Sequence, residues 1–115
     1  MRKNETSEKV FERELSQYVE ERGGMAVKLL SQFFKGLPDR MFLIPIGKVL
    51  FVEFKSTGKK PTPIQRWVHR KLDEIGFPVY IVDSPESYYL VTDIIDDICL
   101  LYPSPSPRDG APSRM

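Results

Sequence analysis

Apolar residues follow two different rhythms along this chain. Val10, Phe11, Leu15, Tyr18 and Val19 recur at helical spacing. They mark an amphipathic helix with Thr6 or Ser7 as N-cap and Gly23-Gly24 as its stop. Residues 25–30 then read as a strand and 31–38 as a loop. Residues 40–46 and 48–55 are rich in branched and aromatic side chains on either side of Pro45-Ile46-Gly47, the pattern of a hairpin. After a Gly/Lys loop at 56–61, Thr62 as N-cap and Pro63 at the first helical position open a second helix that ends at Gly76. Residues 79–82 form a short apolar strand. Ser84-Pro85-Glu86 and Thr92-Asp93 each read as the start of a short helical segment. The order is α-β-β-β-α-β-α, which predicts an α/β fold with a mixed sheet flanked by helices.

The pattern stops at Pro103. Residues 103–115 hold four prolines, three serines and no aromatic or branched aliphatic side chain. Such a segment cannot bury apolar surface and is expected to be a disordered tail. Residues 1–102 are expected to form one domain, as suits a chain of 115 residues. No internal repeat is visible.

Composition narrows the function classes. Apolar runs such as Val49-Leu50-Phe51-Val52 fall far short of the roughly 18–20 residues that span a bilayer. The N-terminus lacks a basic-then-apolar leader. The single cysteine, Cys99, can form neither an internal disulfide nor a zinc finger. A reducing cytoplasm is the expected compartment, with no membrane partner. A net charge of +1 argues against a surface that is basic all over. The charge is nevertheless uneven. From Lys55 to Leu72 there are six Lys/Arg and no acid, whereas acids gather at 5–21 and 93–97. A balanced total can therefore hide a basic face.

Strand alternation adds chemistry. Glu53 and Lys55 share one face of a Val/Phe-rich strand, with Val52 and Phe54 on the other. Charges on such a strand are costly to bury unless they are paired or bind something. If the hairpin pairs antiparallel, Asp39 comes close to Glu53 and Lys55 at the same end of the sheet. Two carboxylates held together repel, and a hard divalent cation resolves that repulsion. The plain structural alternative is an Asp–Lys–Glu salt-bridge cluster of little energetic value.

Gly36-Leu37-Pro38-Asp39-Arg40, Glu53-Phe54-Lys55 and Thr62-Pro63-Ile64-Gln65 resemble the PD-(D/E)XK nucleases. They most resemble the VRR-NUC (virus-type replication-repair nuclease) group, whose pattern is a helical Glu, then G-x-P-D, E-x-K and a downstream Gln. The resemblance covers about residues 6–90 and implies the restriction-endonuclease-like αβββαβ core. It also implies a metal-dependent phosphodiesterase using Mg²⁺ or Mn²⁺. Asp39 and Glu53 would bind the metal with the backbone carbonyl of Phe54. Lys55 would position or activate the attacking water, and Gln65 would support the site. The helical acid would be Glu8, with Glu12 as alternative, because Glu12-Arg13 resembles a Glu-Arg pair of archaeal junction resolvases.

The stand-alone, often phage-encoded members of this group look like Holliday-junction resolvases. The resemblance therefore implies a homodimer acting on four-way or other branched DNA, in the host cytoplasm if phage-encoded. Alternatives are a flap or single-strand nuclease within a replication or repair complex, or a non-catalytic DNA-binding protein on a nuclease fold. Arg40, Lys59, Lys60, Arg66 and Arg70 are the expected phosphate contacts, with Lys28 and Lys35 as additions. Trp67 is expected to pack with Val68 or Leu72. His69 reads as a surface residue outside the chemistry, and Cys99 as a small core or interface residue.

Overall fold

A computed structural model of the chain describes residues 6–101. The expected tail at 103–115 lies outside the described residues. Seven elements follow one another: α1 (Ser7–Glu21), β1 (Met25–Lys28), β2 (Arg40–Ile44), β3 (Lys48–Phe54), α2 (Pro63–Glu74), β4 (Val79–Val82) and α3 (Pro85–Leu101). The four strands form one mixed sheet in the order β1-β2-β3-β4. The β1/β2 and β2/β3 pairs are antiparallel, and β3 pairs parallel with β4. The parallel pair requires a crossover, which α2 supplies.

Local chemistry sets the element boundaries. Thr6 caps α1 through its side chain, which accepts the Lys9 N–H. Thr62 caps α2 in a reciprocal capping box with Gln65, a pairing that satisfies two otherwise orphaned N–H groups. The β2–β3 turn places Ile46 at φ 71° and Gly47 at φ 79°. A β-branched residue there is strained, and the exposed turn tolerates that strain.

One face of the sheet carries the main core. Phe42, Ile44, Leu50, Val52, Phe54 and Val82 pack against Leu15 and Val19 of α1 and Val91 and Ile95 of α3. Each such side chain contributes on the order of 1.5–3 kcal/mol by leaving water. Tyr18 Oη donates to Asp96 Oδ1 at 2.5 Å and Arg22 Nε lies 3.3 Å from the same oxygen, tying α1 to α3. On the opposite face of β3, α2 brings Gln65 and His69 to Glu53 and buries Val68.

Two details differ from the sequence reading. The segment after Pro85 is a single 17-residue helix, with no new start at Thr92-Asp93. Apolar positions 88, 91, 95 and 98 run through that point toward the core, and Thr92 Oγ1 donates to its own helix at Tyr89 O. Packing on the sheet thus outweighs the local start signal. Strands β1 and β2 also stop two residues short of their expected ends, at Lys28 and Ile44.

A candidate active site at the carboxylate end of the hairpin

The β2/β3 register pairs Arg40 with Val52, which sets Asp39 beside Glu53 at one end of the hairpin. Asp39 Oδ2 accepts the Phe54 N–H at 2.8 Å. Gly36 makes this approach possible. At φ +90° it presses so close to α2 that an added Cβ would lie 2.8 Å from Ile64 O and 2.7 Å from Val68 Cγ2, space that only glycine leaves open. The 31–38 loop is thereby anchored on α2 and delivers Pro38-Asp39 to the strand end.

Glu53 is 1% exposed, although its face of the strand is not the main core. Its Oε2 receives Lys55 Nζ at 3.2 Å and Gln65 Nε2 at 3.0 Å. Its Oε1 is buried with no hydrogen-bond partner among the described residues. Burial first, then the Asp39 charge, pushes the Glu53 carboxyl up to about 7 despite the nearby Lys55 ammonium. Asp39 is also raised: burial dominates and the Glu12 charge adds to it. The Phe54 N–H, Lys28 and Lys55 pull the other way.

Gln65 serves two structures at once. Its Oε1 accepts the Thr62 N–H at 2.9 Å while its Nε2 donates to Glu53. The capping box therefore holds the amide in the orientation the site uses.

The two helical acids differ in surroundings. Glu12 is buried, with Oε2 3.0 Å from Lys28 Nζ and 2.8 Å from Arg40 Nε. Burial alone would raise its carboxyl; the hydrogen bonds and charges of Lys28 and Arg40 outweigh that and hold it below the ordinary value. Glu8 is half-buried, and its Oε1 accepts Ser56 Oγ–H at 3.1 Å, beside Lys55. Among the expected phosphate contacts, Lys59, Lys60, Arg66 and Arg70 are exposed. Arg66 also donates to Pro61 O at 2.8 Å, and Arg40 is engaged by Glu12.

The reading of His69 as a surface residue is corrected. Its side chain is only 12% exposed and Nε2 lies 4.0 Å from Glu53 Oε1. The signal was present: His69 stands four residues beyond Gln65, on the same helix face. Trp67 remains 48% exposed. It lines an apolar groove of about 380 Å³ with Phe34, Leu37, Val68, Leu72 and Ile75. Cys99 packs half-buried against the core.

This donor set fits a hard divalent cation. Two carboxylates are held against their mutual repulsion, and one buried carboxylate oxygen has no partner. Among the described residues no group of three or more His, Cys, Asp or Glu side chains is arranged to hold a metal. A two-carboxylate set suits Mg²⁺, which keeps several of its own waters. No helix among the described residues is long and apolar enough to cross a membrane.

No family model matches the chain. The p44 protein of Acyrthosiphon pisum secondary endosymbiont phage 1, named as a candidate nuclease, is 41% identical over 76 residues, covering 66% of this chain and 82% of that protein. A solved VRR_NUC domain superposes with a TM-score of 0.65 at 27% identity, over 85% of this chain and 99% of the domain. The superposition extends to the mixed sheet and flanking helices described above, and the chain belongs to the VRR-NUC family of nucleases.

Proposed function

We propose that the chain is a divalent-metal-dependent endonuclease that hydrolyses phosphodiester bonds in branched DNA, with the four-way junction as preferred substrate. The observation that carries this reading is Asp39 beside the buried Glu53, which has Lys55 and Gln65 on one carboxylate oxygen and the other left open. A Mg²⁺ or Mn²⁺ ion held by Asp39, Glu53 and the Phe54 carbonyl would supply Lewis-acid stabilisation of charge on the phosphate and lower the pKa of a bound water.

The remaining roles fall to the chain's own residues. Lys55 spends one donor on Glu53; its other N–H bonds can orient the attacking water and offset charge at phosphorus. Gln65 holds Glu53 Oε2 in place. Glu8, at Ser56 on the rim, is the helical acid, while Glu12 pins α1 to β1 and β2 through Lys28 and Arg40. Lys59, Lys60, Arg66 and Arg70 present an exposed basic face to the DNA backbone.

Branched DNA is favoured by the resemblance of Gly36–Arg40, Glu53–Lys55 and Gln65 to the stand-alone, resolvase-like members of the family. A homodimer follows, because paired cuts across a junction need two sites and two-fold symmetry is the commonest solution. Its setting would be the host cytoplasm. A second reading, cleavage of flaps or single strands, is favoured by Phe33 and Trp67, which are 93% and 48% exposed and could stack on unpaired bases.

The test compares labelled four-way junction, flap, duplex and single-stranded DNA in Mg²⁺, Mn²⁺ and EDTA, with Lys55→Ala alongside. Junction cleavage that needs metal and Lys55 is expected. Faster flap or single-strand cleavage would favour the second reading. A chain that cuts nothing in Mn²⁺, with Lys55→Ala leaving DNA binding unchanged, would instead be a binding protein on a nuclease fold. Sedimentation equilibrium tests the dimer.

A further inference from the structure

Two buried atoms at the floor of the site face each other without a partner. Glu53 Oε1 accepts nothing, and His69 Nε2, 4.0 Å away, bonds nothing among the described residues. Buried polar atoms are satisfied in the great majority of cases, and each exception calls for an explanation. Orphans of complementary kind that face one another share one explanation. An imidazole Nε2 can carry an N–H donor, and a carboxylate oxygen can only accept unless it is protonated. A separation of 4.0 Å is about one ångström longer than an N–H···O bond. A small rotation of either side chain closes it.

We propose that His69 is a positioning residue, whose Nε2–H donates to Glu53 Oε1 and fixes the plane in which that carboxylate meets a divalent cation. The inference rests on the reading of Asp39 and Glu53 as a cation site. Lys55 and Gln65 grip Oε2 from one side, and His69 would grip Oε1 from the other. The free lone pairs of Oε1 would then have a defined direction. Gln65 and His69 come from successive turns of α2, so a single helix would set the carboxylate orientation.

Two measurements test this. The chain has one histidine, so its imidazole ¹⁵N signals need no assignment. At pH 8 in the metal-free protein, Nε2 is expected to carry the proton. In calorimetric titration with Mn²⁺, His69→Ala is expected to weaken binding about 10- to 100-fold, as loss of an outer hydrogen bond to a metal-binding group does. His69→Gln, whose amide keeps a donor, is expected to recover most of the affinity and covers the case in which the alanine variant fails to fold. An Nε2 without a proton, or unchanged Mn²⁺ affinity in His69→Ala, would overturn the proposal. Asp39→Asn separates the two levels. If it abolishes Mn²⁺ binding while His69→Ala leaves the affinity unchanged, only the positioning role falls. If the wild-type chain binds no Mn²⁺, the cation site falls and the role of His69 with it.

Discussion

The Asp39 carboxylate accepts the Phe54 N–H at 2.8 Å, so the side chain that ends the loop is fastened to the backbone next to Glu53. Without this bond Asp39 could swing away from Glu53, whose carboxyl is raised by burial first and then by the Asp39 charge. The fold thus holds two acids together against their charges, and a bound cation would gain from that arrangement.

Asp39→Asn and Asp39→Ala should therefore separate structure from chemistry. Asparagine keeps an acceptor for the Phe54 N–H; alanine leaves that buried donor unpaired, at a cost of about 1–3 kcal/mol. Urea unfolding should show the larger loss for alanine. Both variants should lose metal-dependent cleavage, by at least about a hundredfold, and should still bind junction DNA in a mobility-shift assay. Lost binding in a folded variant would contradict the role given to Asp39.

Gln65→Glu is a sharper test than Gln65→Ala. Glutamate preserves the capping-box acceptor for the Thr62 N–H but removes the donor to Glu53 Oε2 and adds a third carboxylate. The cap should survive, but like charge beside buried Glu53 should cost about 1–3 kcal/mol without metal, and cleavage in Mg²⁺ should fall at least about tenfold. Equal activity in Gln65→Glu and wild type would reduce Gln65 to a cap.

The raised Glu53 carboxyl makes the metal-free protein sensitive to pH in a defined sense. Its folded value is about 7 against a reference of 4.5, so between these values the folded chain keeps a proton that the unfolded chain releases. Stability from this group is present below the unfolded value and is lost as pH rises through about 7. The loss is on the order of 3 kcal/mol for a shift of this size. His69, with its lowered pKa, acts the other way: its stability is lost as pH falls below its ordinary value. Subtracting the Glu53→Gln unfolding curves isolates the glutamate. In EDTA the variant should gain on wild type as pH rises from 4.5 to 7. Mn²⁺ should restore wild-type stability at about pH 8 and have little effect at about pH 5, where the carboxyl is protonated. A flat difference curve would show that Glu53 titrates normally.

Glu8 and Glu12 should part company under the same neutralising change. Glu12→Gln leaves Lys28 and Arg40 facing an uncharged amide in a partly buried setting. A loss of roughly 1–3 kcal/mol is expected, tempered by the solvent around Lys28. Glu8→Gln should alter stability by less than about 0.5 kcal/mol and lower cleavage. Thermal melts and initial rates measured on both variants distinguish the pin from the site acid, and the reverse pattern would exchange the two roles.

Much of this molecule was legible before any coordinates. Thr62-Pro63 opens α2 because its cap is local chemistry, and the register of a short hairpin follows from its turn. The proximity of Asp39 to Glu53 follows from that register alone. The alternation of β3 likewise sends Val52 and Phe54 to the core and Glu53 to the other face.

Tertiary structure decided what that other face meets. Only the packing of α2 over β3 makes Glu53 fully buried, leaves Oε1 without a partner and brings His69 to 4.0 Å. Only the fold shows Glu12 taken up by Lys28 and Arg40 while Glu8 meets Ser56, since these partners come from distant parts of the chain. It also joins two expected short helices into α3, because the buried stripe there outweighs the local signal at Thr92. The physical reason is common to these cases. Caps, turns and alternation act over a few residues, whereas burial and charge pairing depend on which elements meet in space.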